Sequence, residues 1–319
     1  MFQKRKDPRG RIGEPEETYT NYSHTTNAHI HTTINKMERS GGTTNLPAKA
    51  LKRWVNNQAY GQEGTRIIDA IRIYIAKITT KALNHEYTVP FRAVRFVALE
   101  KTDKKIRPIG ISEILRRVVT KIVASSMKED SKAVTGSTQV QGLTAACEAS
   151  NKAMNEMYLP GNTILVLDAE AAFNNLSRTN ALRTVAQKLP QAYNVLNNLY
   201  QHPTRGFYGN KEITVEEGII QGCPLSTTFY DLGISALSDE LKSDNIRHIW
   251  QCDDLAAAGK PAELKAWLQK VRTNGPGYGY KLNKGKSHVL SRNPEDLKTF
   301  KNELEAGILT IAEGTRYLG

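Results

Sequence analysis

The chain has 319 residues, enough at ~100–200 residues per domain for two or three domains or subdomains. No run approaches the ~18 consecutive apolar residues of a membrane span, the opening Met1-Phe2-Gln3-Lys4-Arg5 lacks the apolar stretch of a signal peptide, and three widely spaced cysteines (Cys147, Cys223, Cys252) exclude a disulfide framework or a Cys-based zinc site. The expectation is a soluble intracellular protein, cytoplasmic or nuclear, with no membrane partner. Its 44 Lys and Arg against 32 Asp and Glu give a net charge of +12, an excess that attracts phosphate polyanions, nucleic acid being the commonest.

Residues 1–45 are polar, rich in Thr and Asn, and show no hydrophobic period; with the basic arm Lys4, Arg5, Lys6, Arg9 and Arg11 they read as a disordered or peripheral tail. His29 and His31 have no third ligand nearby in sequence and read as bystanders. Residues 46–160 begin with a helical pattern carried by Ile67, Ile68, Ile71, Tyr74 and Ile78. An alternating stretch over 92–99 reads as a strand and runs into a basic loop from Glu100 to Ile111; a helix carrying Ile114, Val118, Val119, Ile122 and Val123 follows. Residues 161–319 alternate regularly. An apolar strand over 163–167 precedes Asp168, and helices near 180–189 and 191–201 break at Pro190. A hairpin turns at Gly209-Asn210, and a helix runs from Pro224 to about Leu241. Strands flank Asp253-Asp254, a helix covers about 261–273, a Gly/Pro loop spans Gly275–Gly279, and strand, helix and strand close the chain. An antiparallel sheet with helices on one face is the α+β solution for this order.

The carboxylates carry the chemistry. Asp168 ends an apolar strand, and Asp253-Asp254 sits between two short apolar stretches, at the expected tip of a hairpin in the same sheet. Adjacent carboxylates repel, and a divalent cation relieves the repulsion. By itself an Asp-Asp pair is more often a solvated turn. The surroundings change the balance: Asp168-Ala169-Glu170-Ala171-Ala172-Phe173 puts an aromatic five residues after the first carboxylate. Gln221-Gly222-Cys223-Pro224-Leu225-Ser226, Gln251-Cys252-Asp253-Asp254, Leu282-Asn283-Lys284-Gly285-Lys286-Ser287 and Tyr317-Leu318-Gly319 follow in order.

That ordered series resembles the reverse transcriptases, and the basic stretch from Leu99 through Arg107-Pro108-Ile109-Gly110-Ile111 resembles their fingers motif; together the motifs span residues 99 to 319. Their style is closer to mobile-element enzymes of the non-long-terminal-repeat type than to retroviral ones. The resemblance implies a right-hand polymerase: fingers within 46–160, and a palm over 161–319 built on an antiparallel sheet and ending at the primer grip. The thumb and any endonuclease region are expected to be supplied elsewhere.

The resemblance also implies roles. Asp168 and Asp253 would hold two Mg²⁺ ions (Mn²⁺ able to substitute), with the Ala169 carbonyl completing a coordination shell and Asp254 as the weaker third carboxylate. Lys101 and Arg107 would meet the triphosphate, Arg through its planar fork. Gln221 and Gly222 would line the nucleotide and template, and Lys286 would serve near the pyrophosphate as general acid. Tyr317, Leu318 and Gly319 would grip the primer end, while basic residues over 101–121 and 260–301 track the template backbone. Phe173 would act as a steric gate against the 2′-hydroxyl. The implied reaction extends a DNA or RNA primer on an RNA template with deoxynucleoside triphosphates. Two departures stand out: Gln251 replaces the usual aromatic, and Lys104 the usual glycine. A viral RNA-dependent RNA polymerase and a catalytically silent, palm-derived nucleic-acid-binding protein are the rival readings. Phe173 speaks against the first, and retention of all three aspartates against the second.

Overall fold

The computed structural model describes residues 22–38, 41–58, 61–100, 106–136, 138–141, 143 and 145–312. Four helices come first: α1 (Asn27–Asn35), α2 (Ala48–Asn56), α3 (Gly61–Thr80) and α4 (His85–Arg92). α1 corrects the expectation of an unstructured tail reaching residue 45. Thr26 caps it, its hydroxyl accepting the His29 N–H at 3.1 Å. Ile30 and Ile34, one turn apart, are fully buried, and α1 packs against α3. Two isoleucines among Thr and Asn are too few to register as a period; α3 turns them into a core face with its own Ile68, Ile71, Ile75 and Ile78 at three- and four-residue spacing.

Next come strands β1 (Val94–Glu100) and β2 (Ile106–Ser112), then helices α5 (Ile114–Thr135) and α6 (Ala146–Met157). Strand β3 (Thr163–Leu167), helices α7 (Ala172–Asn175), α8 (Arg178–Lys188) and α9 (Tyr193–Tyr200), and the hairpin β4 (Thr204–Tyr208) and β5 (Lys211–Val215) follow. After α10 (Ser226–Glu240) come hairpin β6 (Arg247–Gln251) and β7 (Asp254–Gly259), α11 (Pro261–Tyr278), β8 (His288–Ser291), α12 (Pro294–Leu297), α13 (Lys301–Glu305) and β9 (Thr310–Ile311). No helix among the described residues is long and apolar enough to cross a membrane.

These elements fold into two compact units, one reaching to Ser131 and including Arg178–Phe229, the other made of Lys132–Ser177 and the residues from Tyr230 on. A linear boundary at 160 is therefore replaced by an exchange of segments. The cause lies in strand pairing: β4 runs parallel beside β1, giving the first unit its own sheet in the order β2-β1-β4-β5. The same unit buries three arginines, Arg92, Arg116 and Arg178. The guanidinium carbons of Arg116 and Arg178 lie 5.9 and 5.5 Å from the centroid of the Tyr200 ring, within cation–π range. Arg178 also donates to the carbonyls of Gly218, His202 and Val215. Arg116 thus leaves the set of basic residues over 101–121 expected to track a template.

The second unit holds a sheet in the order β6-β7-β3-β8-β9, with β3 central and antiparallel to both neighbours. α6 packs on it through Met154, against Ile164, Ala256, Ala258 and Leu290. The antiparallel sheet with a helix on one face is as expected, and its opposite face is buried as well, through Leu165, Leu167, Leu255, Ala257 and Val289. α11 also differs from expectation: it runs through Gly275, Pro276 and Gly277 to Tyr278. The run lies in the helix's last turns and is closed by Gly279 at φ 89°, while Tyr280 donates its N–H back to the Gly275 carbonyl at 2.9 Å. A Cβ at Gly279 would overlap the Asn175 carbonyl oxygen, so glycine is required there twice over.

Candidate active site

Asp168 follows the last residue of β3, at the end of the central strand rather than on a sheet edge. Two residues of the Asn283–Ser287 turn hold it. The Asn283 amide donates to its carboxylate, and the Ser287 hydroxyl accepts its backbone N–H at 3.2 Å. Its own carbonyl accepts the Asn283 N–H at 2.8 Å. β3 continues past Asp168 as a bridge between Ala169 and Leu282. Lys286 stands exposed on the same turn.

Asp253 and Asp254 lie where expected, at the tip of the β6–β7 hairpin. Gln251 pairs with Asp254, leaving Cys252 and Asp253 as a two-residue turn. Leu255 pairs with Leu167, which brings the hairpin tip and the end of β3 to the same end of the sheet. The buried Tyr280 hydroxyl lies within hydrogen-bond range of both ends, 3.2 Å from the Asp253 carbonyl and 3.4 Å from that of Leu167. Burial, then the charges of Asp253 and Asp168, push the Asp254 carboxyl up to about 6. Asp254 therefore feels both of the other carboxylates. Asp231, buried behind the turn, is pushed well above the usual carboxylate range by burial and by Asp253.

Among the described residues no group of three or more His, Cys, Asp or Glu forms a ready metal cage. The donor set is nevertheless the right kind for a hard divalent cation: oxygen donors only, with a mutual repulsion that such a cation relieves. Phe173, on α7, is half-buried and stacks on the buried Tyr230, ring centroids 5.1 Å and planes 9° apart. Ala171, directly before α7, holds φ 47°, a conformation that L-residues seldom take.

Arg107, Gln221 and Gly222 belong to the first unit. Arg107 is exposed on β2, opposite Leu99 of β1. The Gln221 carbonyl accepts the Gly110 N–H at 2.8 Å, tying the turn before α10 to β2. Gly222 holds φ 105°, and a Cβ there would come within 2.8 Å of the Gly110 carbonyl oxygen. Beside it lies a cavity of about 330 Å³ lined by Lys36, Met37, Glu38, Arg117, Lys121, Gly222 and Pro224. Lys101, Lys104, Tyr317, Leu318 and Gly319 lie outside the described residues.

The amino-acid sequence matches the reverse transcriptase (RNA-dependent DNA polymerase) family over residues 99–319. The chain belongs to the reverse transcriptase family. Domains of this family use divalent metal ions. Among solved structures the chain is similar to apo telomerase from Candida tropicalis truncated from its C-terminal domain, at 12% identity and a TM-score of 0.49, covering 62% of this chain and 50% of that one. It is also similar to telomerase from Candida albicans in complex with the TWJ fragment of telomeric RNA, at 12% identity and a TM-score of 0.49, covering 73% of this chain and 47% of that one. The chain spans about half the length of these two structures.

Proposed function

We propose that the chain is an RNA-directed DNA polymerase that extends a DNA or RNA primer on an RNA template with deoxynucleoside triphosphates, in the style of a retroelement enzyme. The observation that carries this reading is the meeting of Asp168, Asp253 and Asp254 at one end of the five-stranded sheet, where the charges of the first two help push the Asp254 carboxyl up. Asp168, Asp253 and the Ala169 carbonyl would hold Mg²⁺, with Mn²⁺ as substitute and Asp254 as the weaker ligand; bound there, such ions supply an activated hydroxyl and neutralise a leaving pyrophosphate.

The chain's own residues do the positioning. Asn283 and Ser287 orient Asp168 from its side chain and its backbone. Phe173 fills the volume that a 2′-hydroxyl needs. Arg107 and Lys101 bind phosphate oxygens, Lys286 delivers a proton to the departing pyrophosphate, and Tyr317, Leu318 and Gly319 seat the primer end. Gln221 and Gly222 line the template side, where the basic cavity of Lys36, Arg117 and Lys121 offers charge complementary to a phosphate backbone.

Primer extension on RNA and DNA templates, with each nucleotide set, tests this reading. Asp168→Asn or Asp253→Asn should lower extension by ~10²-fold or more. The thermal midpoint should hold or rise, because one of three repelling charges is removed. Asp254→Asn should be milder. Near-natural extension by either of the first two variants would remove the assignment, and ready use of ribonucleotides by the natural chain would favour the RNA polymerase reading.

A further inference from the structure

Gln139 belongs to none of the motifs that carry the family resemblance, yet it reaches the catalytic hairpin. It is buried, and its carboxamide is used at both ends. The oxygen accepts the Cys252 N–H at 3.0 Å and the Gln141 N–H at 3.1 Å. The nitrogen donates to Asp231 Oδ1 at 3.1 Å and reaches the Cys252 carbonyl at 3.5 Å. The Cys252 and Gln141 N–H groups can only donate, and so fix the amide oxygen toward them and its nitrogen toward Asp231. The main chain adds to the grip: Trp250 donates to the Thr138 carbonyl at 2.7 Å and Val140 to the Trp250 carbonyl at 2.9 Å, so residues 138–140 run alongside β6.

Cys252 is a residue that needs such a grip. It holds φ 56° at the first central position of a two-residue hairpin turn, a position that favours glycine. Left to itself, a residue with a Cβ tends to leave this conformation, and rotation of its peptide would re-aim the next side chain, that of Asp253. We infer that Gln139 is a positioning residue, holding the strained Cys252 peptide so that the Asp253 carboxylate faces its cation and substrate. The inference rests on the polymerase reading of the same site.

The test uses the full chain with Gln139→Met, which keeps the volume and removes both hydrogen-bonding ends, and Gln139→Asn, which keeps the amide but is one methylene too short to span Asp231 and Cys252. The second serves where the first does not fold. Each is also combined with Cys252→Gly. Mn²⁺ affinity should fall ~10–100-fold, as when a partner that orients a metal ligand is lost. Single-turnover extension should fall with it, while nucleotide KM and duplex Kd stay within about twofold. Cys252→Gly should return much of the loss, because glycine takes the positive φ without strain. A merely structural role would lower the thermal midpoint and gain nothing from that glycine. Mn²⁺ affinity within about twofold of the natural chain, or no recovery with Cys252→Gly, would overturn the inference. A natural chain that extends no primer would sink the polymerase reading instead, and the Mn²⁺ measurement would still decide the role of Gln139.

Discussion

Phe173 has one ring face committed to Tyr230 and the rest of its side chain only half covered, so it is neither a core residue nor a free one. If it excludes the 2′-hydroxyl by volume, Phe173→Ala should raise ribonucleotide incorporation ~10-fold or more relative to deoxynucleotides, since the ring removed is far larger than the hydroxyl it excludes. Its stability cost should fall below the ~3–5 kcal/mol of truncating a fully buried Phe, since only part of the ring leaves a packed surface. Equal loss of both activities, together with a lowered thermal midpoint, would make it a packing residue. The residues around it differ in how far they could be read in advance. Asp168 and Asp253-Asp254 stood out through the ordered motifs around them, since an Asp-Asp pair by itself is more often a solvated turn. Asn283 and Ser287 were only letters in a motif until the structure placed both on Asp168. Gln139 and Tyr280 gave no signal: a glutamine between Thr138 and Val140, or a tyrosine after a helix, is ordinary. Gln251, where the family usually has an aromatic, turns its amide toward the Cys147 sulfur at 3.4 Å.

Among the elements, β6 carries a titration in which Asp168, Asp253 and Asp254 take no part. His248 is buried, packed at a tilt on Trp267, with Nε2 3.3 Å from the Ser238 hydroxyl. Burial pushes its imidazole down to about 4; the Lys242 charge acts in the same direction and Asp239 against it. The folded value lies below the ordinary 6.5, so as pH falls the unfolded chain takes up the proton first. Stability is therefore complete above about 6.5 and lost on the way down to about 4. At pH 4.5 the loss from this group is ~2–3 kcal/mol relative to neutral pH. Urea unfolding of the natural chain and His248→Gln at pH 7 and 4.5 checks it: the natural chain should lose that much more than the variant, and parallel losses would refute the assignment. Periodicity showed β3, the β6–β7 hairpin and α10 because each buries a face that its own residues define. It missed α1, whose short apolar face exists only against α3, and the pairing of β4 with β1, because alternation reports a strand and not its neighbour. The end of α11 was missed for a different reason: Gly and Pro ordinarily mark a loop, and only Gly279 against Asn175 shows why the helix continues.

At the scale of the whole molecule the net charge of +12 overstates what a polyanion meets. Arg92, Arg116 and Arg178 are interior, bonded to carbonyls or stacked on Tyr200, and cannot neutralise phosphates. Lys36 and Lys121, by contrast, are exposed at the rim of the cavity beside Gly222. Binding to a primer–template duplex should weaken steeply as salt rises, since each neutralised phosphate contributes ~0.9 to the slope of log affinity against log salt on B-form DNA. If Lys36 and Lys121 each meet a phosphate, the double variant Lys36→Gln/Lys121→Gln should lower that slope by ~1–2 and weaken binding most at low salt. Arg178→Lys makes the contrasting case. Lysine cannot reproduce the three carbonyl contacts of the buried guanidinium, so stability should fall while the salt slope of the folded protein stays unchanged. Fluorescence anisotropy of a labelled duplex over ~50–200 mM salt, alongside thermal unfolding, separates the two kinds of cation. An unchanged slope in the lysine double variant would take the cavity out of the nucleic-acid path. A reduced slope in Arg178→Lys would mean that this interior arginine carries charge to the surface after all.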